Sequence, residues 1–254
     1  NVVTLFEKKL RDKRTKKNVR RAITMALGTI GDEATSIQAL KSAYRLDRDK
    51  GVKSFSLMSL AQLAAKLDKD NPNKVAVREH LRRVLRDEKG TIERGFAALA
   101  VGLSKDQEAG KLLLDVFKSN AHPDIRAAAA IGLGIIRYQP AMKHLAQEVK
   151  KPQSGGDARG LSCVALGMIG DKAASEYLTA VYKDVNIPYL KWMAAMGLAV
   201  LRHTDSIALI KERLNDKNRI TRDASIRSLQ YFRDDTTITP LLDQFKKEKD
   251  DEIR

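Results

Sequence analysis

Residues 158 to 171 read Ala158-Arg159-Gly160-Leu161-Ser162-Cys163-Val164-Ala165-Leu166-Gly167-Met168-Ile169-Gly170-Asp171, and this stretch decides the fold. Ala158, Leu166 and Ile169 stand at offsets of 0, 8 and 11, which a 3.6-residue period places on one helical face. Gly170 can end that helix and Asp171 can cap a second one. A helix, a tight turn and another helix follow from these few residues.

The same arrangement recurs in both directions. Anchors at Val19, Val52, Ile92, Ile125, Ala158, Leu190, Thr221 and Ile253 are separated by 33, 40, 33, 33, 32, 31 and 32 residues. Eight positions after the anchor come Leu27, Leu60, Ala100, Leu133, Leu166, Leu198 and Leu229; eleven after come Ile30, Leu63, Leu103, Ile136, Ile169, Leu201 and Phe232. The ninth slot is mostly small (Gly28, Ala61, Val101, Gly134, Gly167, Ala199, Gln230), which lets a neighbouring helix come close. Second amphipathic stretches follow, such as Ile37, Leu40 and Tyr44, or Ile207, Ile210 and Leu214. One hairpin of about 32 residues cannot bury its stripe alone, so neighbours must stack, as in other repeat arrays of this unit length.

The sequence therefore predicts an all-α class: an α-α superhelix, or solenoid, of about seven helical hairpins with partial repeats at both ends. Residues 1–254 form one array, with repeats at 19–51, 52–91, 92–124, 125–157, 158–189, 190–220 and 221–252. Residues 1–18 read as the second helix of a cut repeat, because Leu5, Phe6 and Leu10 mimic Ile207, Leu209 and Leu214; residues 253–254 start a further repeat. On this reading the array continues into flanking repeats or domains of a parent chain. The polar run Leu67 to Asn73 lengthens one turn, and Lys151 to Gly156 is a looser, hinge-like connection.

The strings Val19-Arg20-Arg21-Ala22 with Ala26-Leu27-Gly28-Thr29-Ile30-Gly31-Asp32, and Ala158-Arg159 with Ala165 to Asp171, resemble the short HEAT repeats named after phycobilisome lyases. The resemblance implies second helices lining a concave side. It names no activity, because one fold hosts many. The hydroxylases of this fold that bind iron use His-Glu dipeptides, whereas His80, His122, His144 and His203 are followed here by Leu81, Pro123, Leu145 and Thr204. No two histidines have the i, i+4 spacing of a helical metal site, and no metal is expected.

No cofactor is implied either. Gly102 and Gly110-Lys111 are spaced too widely for a phosphate loop, and Leu112 replaces the hydroxyl residue. Cys163 takes a slot otherwise held by Thr24, Leu57, Ala97, Ala130, Ala195 and Ile226, and reads as a small core residue. A lone cysteine excludes an internal disulfide framework and fits a reducing compartment. The longest apolar run, Ala127 to Ile136, is too short to span a bilayer.

What remains is binding. Lys and Arg number 47 against 32 Asp and Glu, a formal charge of +15, and nine of the basic residues lie among the first 22 positions. Directly after the anchors come Arg20, Lys53, Glu93, Arg126, Arg159, Lys191, Arg222 and Arg254, a basic ladder broken once; its expected role is structural, bonding carbonyls and acidic residues between neighbouring repeats, with Asp124, Asp157 and Asp251 nearby to receive it. Candidate partner contacts are Arg78, Arg82 and Arg86, an exposed stripe at four-residue spacing, together with Lys13, Arg14, Lys16 and Lys17. Trp192 and Tyr189 join them, as aromatics at slots that are small or polar in other repeats. The leading expectation is a non-catalytic scaffold for an acidic or amphipathic protein partner. The alternatives are a nucleic-acid-binding array, similar to the HEAT-like alkylpurine DNA glycosylases, and a lyase-like or chaperone-like protein.

Overall fold

A computed structural model describes residues 2–12, 14–119, 121–151 and 156–247. No strand occurs among them. The looser connection expected at 151–156 and the repeat start at 253–254 fall largely or wholly outside the described residues.

First helices of the repeats are α2 (Lys17–Ile30), α4 (Lys50–Lys66), α6 (Thr91–Leu103), α8 (Pro123–Ile135), α10 (Gly156–Ile169), α12 (Pro188–Val200) and α14 (Arg219–Leu229). Second helices are α1 (Val2–Arg11), α3 (Glu33–Leu46), α5 (Pro72–Asp87), α7 (Gly110–Lys118), α9 (Met142–Val149), α11 (Ala174–Asp184), α13 (Ser206–Lys211) and α15 (Ile238–Lys247). The starts follow the sequence chemistry. Asp32 accepts from the Thr35 amide at 2.7 Å, and Asp49 from that of Val52 at 2.9 Å. In the lengthened turn, Asn71 accepts from the Asn73 amide at 2.8 Å and Pro72 opens α5, a position where its missing N–H costs nothing.

The helices gather into two compact units, residues 1–136 and 137–254, with the division between the two helices of the fourth repeat. In the first unit α2, α4, α6 and α8 pack in sequence, while α3, α5 and α7 each lodge against the next first helix. In the second, α10, α12 and α14 pack in sequence, with α9 on α10 and α11 on α12. The main packings within each unit join neighbouring hairpins. Leu27, Leu60, Leu133, Leu166, Leu198 and Leu229 are buried at the eighth slot, each contributing roughly 1.5–3 kcal/mol of burial free energy.

The third repeat is shifted by one residue from the sequence reading. Ile92 is 49% exposed, whereas Glu93 is 6% exposed at the anchor position. With Glu93 as anchor, Val101 fills the buried eighth slot and Gly102 the ninth. That register also exposes a second small slot, seven after the anchor: Ala26, Ser59, Ala100, Gly132, Ala165, Gly197 and Ser228. The ninth slot of one repeat meets the seventh of the next. A Cβ on Gly102 would lie 2.6 Å from Gly132 Cα, and one on Gly28 would lie 2.6 Å from Ser59 Oγ. First helices therefore approach backbone to backbone.

A left-handed turn after the first helix forms at Gly170 and in four repeats that lack the Gly-Asp pair, whereas Gly31 of the other Gly-Asp pair is extended, with φ of −67°. Lys105, Arg137, Arg202 and Arg233 adopt φ of 55°, 54°, 59° and 51°, at the slot where Gly170 has φ of 84°. An exposed basic residue takes the left-handed conformation usually left to glycine.

Candidate partner-binding site

Pro188 at the first turn of α12 starts the helix, and Tyr189 and Trp192 then stand one turn apart along it. Their rings meet edge to face, with centroids 6.1 Å apart and planes at 70°. Tyr189 sits over Gly160 of α10, where a Cβ would come within 2.7 Å of the Tyr189 ring. The Tyr189 hydroxyl points to Asp157 Oδ1 at 3.4 Å; burial and that carboxylate both raise its pKa. Both aromatics are half-buried, so the sequence oddity resolves into packing on one side and access on the other.

The accessible side is a cleft of about 250 Å³ between α12 and α14, lined by Pro188, Tyr189, Trp192, Ile220, Asp223, Ala224 and Arg227. Ile220 is 54% exposed. Arg227 Nε donates to Asp223 Oδ1 at 2.8 Å across one helical turn, which leaves a neutral charged edge beside an apolar floor. Trp192 Nε1 is buried without an acceptor among the described residues. Drug-sized ligands occupy roughly 300–1,000 Å³, so this cleft suits an inserted side chain better than a cofactor.

The basic candidates divide differently from the expected exposed stripe. Arg78 donates to the carbonyls of Ser104 at 2.9 Å and Lys105 at 2.7 Å, at the end of α6. Arg82 forms a two-pronged contact with Asp106, Nε to Oδ2 at 2.6 Å, and also reaches Glu108 at 2.9 Å. Both tie α5 to the turn of the next repeat, because a helix end leaves carbonyls that a guanidinium can satisfy. Arg86 alone of the three is exposed. Arg14, Lys16 and Lys17 are exposed around the start of α2, and Lys13 lies outside the described residues.

The ladder has its own geometry. Arg94, not Glu93, continues it: Arg94 Nε donates to Leu85 O at 3.0 Å, Arg126 Nε to Phe117 O at 3.0 Å, and Arg159 Nε to Val149 O at 2.9 Å. Lys191 donates to Lys183 O at 3.4 Å, and Arg222 to Asp216 O and Lys217 O at 3.2 Å. These receivers are carbonyls ending the preceding second helix or just beyond it, one of the two receiver classes expected, whereas the aspartates named from sequence are not shown receiving the ladder. Asp124 faces His122 at 3.5 Å and Asp157 takes Tyr189, while Asp251 is outside the described residues. Lys53, Arg126 and Lys191 also stand over the rings of Tyr44, Phe117 and Tyr182 at 5.6 to 5.8 Å. Arg20 pairs with Asp47 at 2.7 and 3.1 Å and donates to Thr15 O.

Cys163 is fully buried and desolvation pushes its thiol up to about 12, which keeps it protonated and inert. His122 Nδ1 accepts from the Asp124 amide at 3.3 Å as the cap of α8. No group of three or more His, Cys, Asp or Glu able to hold a metal occurs among the described residues.

Residues 19–45 match the PBS lyase HEAT-like repeat and residues 186–254 match HEAT repeats. The CpcE and CpcF complex of phycocyanin lyase from a Nostoc species includes a chain that is 16% identical, with TM-score 0.59, covering 96% of this chain and 94% of its own. YibA of E. coli is 17% identical with TM-score 0.57, covering 99% and 92%. Human deoxyhypusine hydroxylase, solved with glycerol, is 15% identical with TM-score 0.45, covering 91% and 96%. No curated protein sequence matches. The likenesses to the phycocyanin lyase chain and to YibA are likenesses of the helical-repeat fold.

Proposed function

We propose that this HEAT-repeat chain is a non-catalytic scaffold that captures a protein partner, with the α12–α14 cleft as one contact surface. The observation that carries this reading is the edge-to-face Tyr189–Trp192 pair bordering a cleft whose opposite wall carries the exposed Ile220. Buried tryptophan and tyrosine anchors supply a disproportionate share of interface energy, and an inserted apolar side chain covers Ile220 at the same time. The similar CpcE and CpcF chains were solved as a complex with each other, which supports a protein as the partner class. The arginines tied to helix ends weaken the nucleic-acid alternative, because they are already spent inside the repeat stack.

The test is a pull-down with tagged wild type, Trp192→Ala and Ile220→Asp, with retained proteins identified by mass spectrometry. Partners held by the wild type are lost with Ile220→Asp and reduced with Trp192→Ala. An unchanged set with both variants rejects the cleft. Anisotropy of a labelled oligonucleotide at rising salt runs beside it. Tight binding that falls log-linearly with salt moves the reading to nucleic acid.

A further inference from the structure

A second cavity lies at the other end of the sequence, in the first unit, between α1 and α3. Its volume is about 690 Å³, inside the range of sites that bury a ligand or several side chains. One wall is Glu7, Leu10 and Arg11 of α1, and the other is Ala39, Ser42, Ala43 and Leu46 of α3. Spacings of i, i+3, i+4 and i, i+3, i+4, i+7 put each set on one helical face, so two parallel faces frame a groove. The groove exists because α3 presents Ala39, Ser42 and Ala43 there. Larger side chains at those positions would fill it. Leu46 on the rim is 68% exposed.

The charge around the groove is one-sided. Arg11 is paired with Glu7, and Arg20 with Asp47. Arg48 lines the groove, is exposed and pairs with no carboxylate among the described residues. Lys8, Lys9 and Arg45, also exposed and without a carboxylate partner among the described residues, lie in the last turns of α1 and α3 outside the groove-facing sets. Each helix C-terminus offsets only about half a charge, so these four cations outweigh the two helix ends.

From this we infer that the α1–α3 groove binds one face of an acidic amphipathic helix from a partner polypeptide. Its apolar side chains lie against Leu10 and Leu46 over the shallow floor that the small Ala39 and Ala43 leave, and its carboxylates meet Arg48, with Lys8, Lys9 and Arg45 adding positive charge from outside the groove. Helix-in-groove recognition works through apolar anchors at this periodicity, and acidic flanks select the partner by complementary charge. The inference deepens the scaffold reading and rests on it, but it uses a surface separate from the Trp192 cleft.

The probe is a labelled synthetic helix of about four turns with Leu at i, i+3, i+4 and i+7 and Glu elsewhere. One control replaces every Leu by Ser, and another replaces every Glu by Lys. Anisotropy at fixed ionic strength should show the Leu/Glu peptide binding at least about tenfold tighter than either control. Leu46→Asp and Arg48→Glu, both at exposed positions, should each weaken it about tenfold, whereas Trp192→Ala leaves it unchanged. Ala43→Phe fills the groove and should abolish binding, with circular dichroism reporting whether it folds. Equal binding of the controls, or indifference to both surface variants, overturns the inference. If the peptide fails while the pull-down still depends on Ile220, the groove is wrong and the scaffold stands. If both fail, the scaffold reading falls as well.

Discussion

Gly167 of α10 lies so close to Gly197 of α12 that a Cβ on Gly167 would stand 2.1 Å from the Gly197 carbonyl oxygen. No rotamer relieves a clash with backbone, so Gly167→Ala must push the two helices apart. The expected cost is about 2–3 kcal/mol, larger than the roughly 1 kcal/mol that alanine gains in helix propensity. At Gly95 in α6 an added Cβ meets nothing within 4 Å. Gly95→Ala should therefore stabilise by up to about 1 kcal/mol. Urea midpoints that move the same way in both variants would refute the close approach.

The left-handed turns yield a second pair of opposite signs. Gly170, at φ of 84°, tolerates that conformation freely, while Arg202 holds φ of 59° against a steric penalty. Gly170→Ala should cost about 1 kcal/mol, and Arg202→Gly should gain a few tenths to about 1 kcal/mol after the extra unfolded-state entropy of glycine is subtracted. Thermal melts of both variants decide it.

These two positions also mark what the sequence could and could not reveal. The apolar stripe was legible because burial imposes a period, and Leu133, Leu166 and Leu198 fall where it requires. The third register was not: Ile92 is apolar and one residue early, and only the burial of Glu93 and the bond from Arg94 to Leu85 O correct it. Nor could the turns at Lys105 and Arg202 be recognised, since their residues are not those the conformation favours. Trp192 announced the cleft by standing in a slot that is small or polar elsewhere. The groove between α1 and α3 gave no such signal, because Ala39 and Ala43 look like ordinary core.

Arg82 and Arg86 occupy one helix and differ in what they touch. Asp106 has a side chain only 1% exposed, and Arg82 is the cation that balances it. Arg82→Ala leaves a buried carboxylate unpaired and should cost about 3 kcal/mol. Arg86→Ala, at an exposed site, should fall within about 0.5 kcal/mol of wild type. Equal denaturation midpoints for the two variants would show that the Arg82 contact contributes nothing.

His80 supplies a pH dependence with a defined window. Burial, with the cations of Lys41 and Arg83 adding to it, lowers its pKa to about 4, and its ring meets Tyr44 edge to face at 5.7 Å. An unfolded histidine titrates near 6.5, so between about pH 6.5 and 4 the unfolded chain binds a proton that the native site refuses. Stability is therefore full above about 6.5 and is lost as pH falls towards 4, with a slope of at most about 1.4 kcal/mol per pH unit. Below that, Asp49 becomes the relevant group. The Arg21 hydrogen bonds hold its carboxyl at about 2, and its contribution disappears between the ordinary carboxylate range and that value. His80→Gln removes the first titration and keeps the second. Urea unfolding at pH 7, 5.5 and 4.5 should show a shallower decline for the variant than for wild type, since the other titrating groups are common to both. Parallel lines for the two proteins would mean that His80 already takes up its proton in the folded state.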